Sequence, residues 1–544
     1  MRWFTTGVVG WGAAVVASIA TNAAPAGETV LAPAGSPHTA HSATTRHAEA
    51  TVQRTEFCSD TTAQRYPASP TWRGRKVGAV SATPLEQRFD ALFTVARPLA
   101  ERFEAAGFEL YLVGGCVRDA VIGAPPKAER DVDLTTNARP EAIEALVAPI
   151  ASSVWDQGRK FGTIGCRIDG VTFEITTFRA DAYEPNSRKP IVAFGDNIES
   201  DLARRDFTIN AMAVRLADHE LIDPYDGRLD LLTKRLRTPL DPAISFEDDP
   251  LRMLRAARFL ARFDLTPDPE LIAAVERDHE RLAIVSAERI RDELCELLAV
   301  PTSAPGLTFL VDTGLAQHFL PELPGLQLEQ DPIHRHKDVF THTLAVVDKT
   351  DHTDHILRLA ALFHDVGKPK TRAYVNGAVS FRNHDLVGAK MTKTRMRALK
   401  FSNDEIADVV RLVELHLRVH TYDLGWTDSA VRRYARDAGP LLNRLNALIR
   451  CDCTTRNPKK AAELAARMDD LEDRIDDLRK REDLLSKRPD LDGEAVMAHL
   501  GLQPGPIVGK AMKFLTELLH SEGPLGTEEA TKRLDAWWAE QNRS

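Results

Sequence analysis

Leu112 to Thr136 reads LVGGCVRDAVIGAPPKAERDVDLTT. The apolar run Leu110 to Val113 bends at Gly114 and Gly115 and continues as a helix from Val117 to Ile122, so a strand, a glycine turn and a helix start follow one another. Glycines let the backbone approach a bound group with no Cβ in the way, and the free N–H groups of a helix start favour anions. A phosphate is the natural guest. The same stretch ends on Asp131-Val132-Asp133. On a strand, residues two apart share a face, so both carboxylates converge on one spot. They repel unless a cation sits between them. Magnesium takes oxygen ligands and keeps room for substrate phosphates, which suits this doublet beside a phosphate-binding turn. Either feature alone is commonplace, the turn as a connector and the doublet as solvated surface; together they point to a metal-assisted phosphate site.

The flanking sequence builds a sheet around that site. Leu85 to Ala106 places Phe89, Leu92, Phe93, Val95 and Ala96 at helical spacing and reads as a packing helix. Gly162 to Arg167 and Val171 to Phe178 read as two strands joined by Asp169-Gly170, a strong hairpin signal. Glu174 on the second strand is a candidate third carboxylate. Arg179 to Asp196 reads as a loop. Beyond it, RRDFTINAMA from Arg204 puts Arg204, Arg205, Asp206 and Asn210 at the start of an expected amphipathic helix. Forked arginine donors suit phosphate oxygens, and an asparagine can reach a ribose hydroxyl.

EDDPLRMLRAARFLARF, from Glu247, places Asp249, Arg252, Arg255, Arg258 and Arg262 on one expected helix. A charged surface is the plain reading; a base-reading edge is the sharper one. Cytosine and adenine each offer an amino donor beside a ring-nitrogen acceptor, whereas uracil and guanine offer a carbonyl beside an N–H. An acceptor from Asp249 beside a donor from Arg252 matches C and A and rejects U and G, with no template strand. Further on, His342, His364-Asp365, His384, His416 and Asp452 fall on expected helices at the spacing of an HD-type phosphohydrolase. Imidazoles and carboxylates suit a divalent transition metal, with His342, His364, Asp365 and Asp452 as the expected ligands.

GGCVRD, DVDLTT and RRDFTINAMA together resemble the nucleotidyltransferase head of the tRNA nucleotidyltransferase and poly(A) polymerase family, and the likeness runs with gaps from about residue 85 to the C-terminus. It implies an α/β head, a mixed β-sheet flanked by helices (84–240), then an all-α neck (241–325), HD body (326–460) and tail (461–544). In its terms Asp131 and Asp133 are catalytic and hold Mg²⁺. Gly114, Gly115, Arg118, Arg204, Arg205, Asp206 and Asn210 bind the nucleotide, and Asp249 and Arg252 read its base with Arg255 and Arg258 nearby. The implied reaction adds C, C and A from CTP and ATP to the 3′ end of tRNA. Where the family often has Glu before the matching Asp, this chain has Asp248, with Glu247 one earlier. The loop holding Arg179, Asp181, Tyr183 and Arg188-Lys189-Pro190 matches one associated with the switch from C to A addition. Poly(A) synthesis, partial CCA addition and HD-type phosphohydrolysis are the rival activities.

Composition sets the outer bounds. The chain has 544 residues, a net charge of -9 and six cysteines without a CxxC pair, which suits several domains, reduced thiols and a cytoplasmic protein that meets nucleic acid through local patches. Residues 1–76 read as an unstructured extension, whose Met1 to Ala26 resembles a weak signal or targeting peptide or follows from a misassigned start. No later stretch is apolar enough to span a bilayer. In the tail, Ala461 to Leu485 reads as a long helix or helical hairpin. Leu500 to Lys510 reads as a glycine-proline turn opening another helix, where an RNA phosphate could sit.

Overall fold

The computed structural model of the protein describes residues 86–124, 131–179, 194–195, 197–328, 338–375, 378–454, 457–482 and 489–541. The N-terminal extension and the stretch 180–193, with Asp181, Tyr183 and Arg188-Lys189-Pro190, lie outside them.

The first half is built on a seven-stranded mixed sheet. Its strands are β1 (Leu110–Val113), β2 (Val132–Thr136), β3 (Ser153–Trp155), β4 (Thr163–Ile168), β5 (Val171–Thr177), β6 (Ala213–Arg215) and β7 (Leu221–Ile222), in the order β3-β4-β5-β2-β1-β6-β7. Only β2 and β5 run parallel; the other neighbours are antiparallel. Asp169 and Gly170 both take positive φ, 49° and 83°, which is what a two-residue hairpin turn between β4 and β5 requires.

Alternation divides the sheet into two faces. Leu110, Leu112, Val132 and Leu134 face a core completed by α1 (Asp90–Ala105) and α3 (Pro140–Val147), through Phe93, Leu99, Phe103, Ile143 and Val147. Tyr111 and Val113 face the other way and pack with Ile198 and Leu202 of α4 (Ile198–Ala203). The helix α2 (Gly115–Val121) leaves the end of β1 directly.

RRDFTINAMA does not open a helix. After α4 ends at Ala203 the chain turns through Arg204 to Phe207, makes one 3-10 turn at Thr208–Asn210 and enters β6. Asp206 causes this: its carboxylate accepts the backbone N–H of Phe207 (2.8 Å) and the side-chain amide of Asn210 (2.9 Å), a local bonding pattern that competes with a helical backbone. Phe207, Ile209 and Met212 are all fully buried beneath it.

Helices make up nearly all of the rest. A short α5 (Gly227–Thr233) leads to α6 (Pro242–Asp248), α7 (Leu251–Phe263), α8 (Pro269–Asp278), α9 (Ala287–Leu298), α10 (Ala304–Asp312) and α11 (Ala316–Phe319). Asp249 lies between α6 and α7 and not on the arginine helix. Pro250 explains the break, since it forces the residue before it into extended backbone, and Asp249 has φ -144° and ψ 101°. Then come α12 (Val339–Lys349), α13 (His355–Phe363), α14 (Lys368–Thr371), α15 (His384–Ala398), α16 (Asn403–Leu415), α17 (Asp428–Ala438) and α18 (Leu442–Asp452). The C-terminal part is α19 (Pro458–Glu482), one continuous helix as far as it is described, followed by α20 (Gly493–Leu500), α21 (Pro506–Glu522) and α22 (Thr527–Gln541). Trp537 stacks on Phe514 at 5.5 Å within the small core of the last three. None of the described helices is long and apolar enough to cross a membrane.

Arg358 on α13 is a strut between the helices on either side of residue 300. Only 1% exposed, it donates to the carbonyls of Val347 (2.6 Å), Val300 (3.0 Å) and Pro301 (3.0 Å). Arg358→Met should therefore strand the buried carbonyls of Val347 and Val300 and cost about 2–3 kcal/mol. A urea midpoint equal to that of the unaltered protein would show that water takes over these bonds.

Candidate active site and metal centre

Asp133 and Glu174 are register partners on the parallel strands β2 and β5, so their side chains stand together on the face away from the main core. Glu174 feels this: burial first, then the charges of Asp133 and Asp131, push its carboxyl above the usual range. Three carboxylates thus share one spot, and all three are exposed. Gly114 lies against them with φ 72° and ψ -136°. A Cβ there would sit 3.6 Å from Asp133 Oδ2 and 3.3 Å from Arg205 Nη1, and the positive φ makes glycine the residue for this turn. The glycine turn, the carboxylates and an arginine meet at one place.

Arg204 and Arg205 are aimed by a residue that sequence reading passed over. Asp201, fully buried on α4, binds Arg204 (2.5 Å) and Arg205 (3.0 Å) with its two oxygens. Burial works against its charge, yet the two arginines outweigh that and hold its carboxyl below the usual range. The spacing of three and four residues on a helix was the available signal.

Arg118 is turned inward. It is 4% exposed, hydrogen-bonds Asn210 and Asp119, and lies over the Phe263 ring at 4.6 Å. From Asn210 the network runs to Asp206, which takes a fork from Arg255 at 2.8 and 2.6 Å, and on to Glu293 of α9, which binds Arg258. Arg258, expected near the nucleotide, is 8% exposed and committed to Glu293 because α9 packs on α7 at that point. The bonding edge left on this side is Asp249 and Arg252, both half-buried. Asp249 pairs with Arg289 of α9 (2.7 Å), while Arg252 donates to Ser245 Oγ (2.9 Å) and to the carbonyl of Arg204 (2.5 Å).

The second constellation lies in a cavity of about 920 Å³. His342 comes from α12, His364 and Asp365 from the end of α13, His384 from the start of α15, His416 from the end of α16 and Asp452 from the end of α18. Three helix C-termini, each with negative dipole character, therefore point at it. Gly367 permits the closure, since a Cβ there would meet the His384 carbonyl oxygen at 2.1 Å. His342 Nε2 lies 2.9 Å from Asp452 Oδ1, 3.3 Å from His364 Nε2 and 3.5 Å from Asp365 Oδ2. Lys368 also reaches Asp365 Oδ2 at 2.7 Å. Burial pulls down the pKa of His364, but the Asp365 and Asp452 carboxylates outweigh it and hold it above the ordinary value. Burial brings His416 down to about 4. The outer wall is α19, through Leu464, Ala465 and Met468.

Three family models match the chain: the "Poly A polymerase head domain" over residues 110–237, the "Probable RNA and SrmB- binding site of polymerase A" over 264–326 and the "HD domain" over 339–478. An A-adding tRNA nucleotidyltransferase of Deinococcus radiodurans is 36% identical over 357 residues, 63% of this chain and 80% of that protein. A CCA-adding enzyme of Lactobacillus gasseri is 38% identical over 241 residues, 44% of this chain, and the match spans little more than half of that protein, 58%. The crystal structure of Bacillus stearothermophilus CCA-adding enzyme in complex with CTP shares the fold, with a TM-score of 0.58 at 23% identity over 84% of this chain and 98% of that one.

Asp206 supplies a pH test of the network. Burial alone would raise its carboxyl, but Arg255, with Asn210, outweighs burial and brings it down to about 2. A depressed carboxyl stabilises the fold above the ordinary carboxylate range and loses that effect as pH falls through its folded value. Asp206→Asn should cost about 2–3 kcal/mol near neutrality. In urea unfolding the gap from the unaltered protein should close between about pH 4 and pH 2; a gap independent of pH would mean that shape, not charge, is what Asp206 contributes.

Proposed function

Because the chain belongs to the tRNA nucleotidyltransferase and poly(A) polymerase family, we propose that it adds C, C and A to the 3′ end of tRNA, taking CMP and AMP from CTP and ATP without a nucleic-acid template. The observation that carries the reading is the meeting of Asp131, Asp133 and Glu174 with the Gly114 turn and the arginines aimed by Asp201. Both the head and the HD part are of metal-dependent families; Mg²⁺ is the ion we propose for the head.

Asp131 and Asp133 would hold Mg²⁺, which supplies an acidified RNA 3′-hydroxyl and neutralises charge on the leaving pyrophosphate. The chain's own groups do the positioning. The backbone at Gly114 and Gly115 cradles phosphate, and Arg204 and Arg205, held rigid by Asp201, meet the triphosphate oxygens. Arg118 and Asn210 fix the walls of the pocket by their mutual bond. Asp249 and Arg252 present acceptor and donor to the base, the combination that suits C and A. The domain division proposed is head 84–240, neck 241–325, HD body 326–460 and tail 461–544, with the tail holding tRNA. The compartment proposed is the cytoplasm.

Addition of A alone is a second reading, favoured by the Deinococcus radiodurans relative, whose name is that of an A-adding enzyme. The HD centre would separately hold a divalent transition metal at His342, His364, Asp365 and Asp452 and hydrolyse phosphoesters.

The direct test is incubation with Mg²⁺, each labelled NTP in turn, and tRNAs ending before the first C, after the second C, or in complete CCA. Growth should stop at CCA; addition of only the last A selects the second reading, and a long A tail would place the activity with the polymerases. Asp133→Ala should lower transfer at least about 100-fold and leave hydrolysis at the HD centre in place. Arg252→Ala should relax the choice of base more than it weakens triphosphate binding, so unchanged discrimination against UTP would remove Arg252 from the reading. Glu174→Gln should lower kcat about 10–100-fold yet raise the melting temperature of the protein in EDTA, since a carboxyl pushed upward in the fold destabilises it at neutral pH.

A further inference from the structure

Another cavity of the HD body, of about 370 Å³, is lined by Asp385, Leu417, Arg418, Trp426, Arg433 and Tyr434. Leu417 also lines the larger cavity, so the two adjoin. The size falls within the roughly 300–1,000 Å³ of small-molecule pockets. Its aromatic walls are fixed before any guest arrives. Tyr434 of α17 is 2% exposed, and its hydroxyl donates to Asn446 Oδ1 at 2.7 Å. Trp426 is half-buried and donates from Nε1 to Thr421 Oγ1 at 3.2 Å. Its ring centroid lies 5.3 Å from that of Tyr422, edge to face, and 5.7 Å from that of Tyr434. Each polar end is committed to the protein, and apolar ring surface is what remains for a guest.

The charges are not committed in the same way. Asp385, the second residue of α15, is half-buried, and Arg433 on α17 is exposed. Neither has a hydrogen-bond or ion-pair partner among the described residues, and they do not pair with each other although they line one cavity. Arg418 is tied to Asp437 through Nη1 and keeps further N–H groups. A guest that satisfies these side chains carries hydrogen-bond donors, a flat apolar body and an anion, which describes a nucleotide. The carboxylate narrows the base. An ionised carboxylate only accepts, so a base that engages both oxygens must present two adjacent donors. Guanine does so with N1–H and its amino group. Adenine and cytosine set a ring-nitrogen acceptor beside the amino group, and uracil has one N–H between two carbonyls.

We propose that this cavity binds a guanosine phosphate, with the base on Trp426 and Tyr434, its two donors on Asp385 and its phosphate oxygens on Arg433 and Arg418. The same chemistry is offered by a free guanine nucleotide and by an RNA that ends in G. The site rests neither on the reading of the head nor on a metal in the HD centre.

The test is isothermal titration calorimetry of the full-length protein in EDTA, with GDP, ADP, CDP and xanthosine diphosphate as probes. One GDP should bind per chain, with ADP and CDP at least about 10-fold weaker. Asp385→Asn exchanges an acceptor for a donor. It should weaken GDP about 10–100-fold and strengthen xanthosine diphosphate, whose base carries a carbonyl where guanine has the amino group. Arg433→Ala should weaken GDP about 10-fold and leave guanosine unchanged. ApApG bound more tightly than GDP, with ApApA unbound, would assign the site to RNA ends. Three results overturn the proposal: no binding of GDP or ApApG, GDP no tighter than ADP, or loss of GDP in Asp385→Asn without a gain in xanthosine diphosphate. Labelled CTP and ATP addition by the same variants tests the head separately, and its persistence shows that they are folded.

Discussion

The fork between Arg255 and Asp206 holds the catalytic half of the molecule together. Asp206 belongs to the turn that places Arg204 and Arg205 beside the carboxylates, and Arg255 belongs to the helix that carries Arg252 and follows Asp249. An enzyme that chooses bases without a template has only geometry to choose with. The distance from triphosphate to base edge must then be fixed by the protein, and an error of about 1 Å is enough to cost about 100-fold in rate. Buried ion pairs seldom stabilise a fold as well as apolar contacts of the same shape. A chain of them from Arg118 through Asn210, Asp206, Arg255 and Glu293 to Arg258 is better explained by the orientation it enforces, because each member dictates the direction of the next.

What could be read in the sequence depended on whether the cause was local. The strand, glycine turn and helix start around Gly114 are set by backbone preferences within a few residues, and so is the Asp169-Gly170 hairpin. The DxD doublet was legible because strand periodicity alone puts Asp131 and Asp133 on one side. The misreadings arose where side chains bonded backbone or proline intervened. Asp206 captures the amide of Phe207 and ends a helical pattern that Phe207, Ile209 and Met212 otherwise suggest. Pro250 cuts Asp249 from the arginine helix. The partners Arg289 for Asp249 and Glu293 for Arg258 come from α9, a contact that no spacing within one helix encodes. The HD donors were visible as residue types, but their meeting exists only where five helices come together.

The two proposed metal sites differ in donor chemistry and in access, and the difference follows from what each would exchange. In the head, Asp131, Asp133 and Glu174 are exposed oxygen donors on an open sheet face. Hard ions that keep much of their water bind such sites together with the phosphates they bridge. In the HD body, His364, Asp365 and His416 are at most 1% exposed and meet in a cavity walled by α19. Nitrogen-rich donors in a largely buried cluster suit an ion that stays when no substrate is present.

This contrast would let two opposed reactions share a chain, with hydrolysis at the HD centre as proposed. Forming a phosphodiester and hydrolysing one both need a cation at phosphorus, and a single kind of site would serve both. Donor type separates them, since an ion that suits three exposed carboxylates is a poor fit for imidazoles whose protons are already committed to Ala361, Phe381 and Val413. Those carbonyls lie three residues before each histidine, inside α13 and α16 and in the turn before α15, so the local backbone fixes which ring nitrogen is engaged. The orientation of the HD imidazoles is thus already set by the backbone beside them.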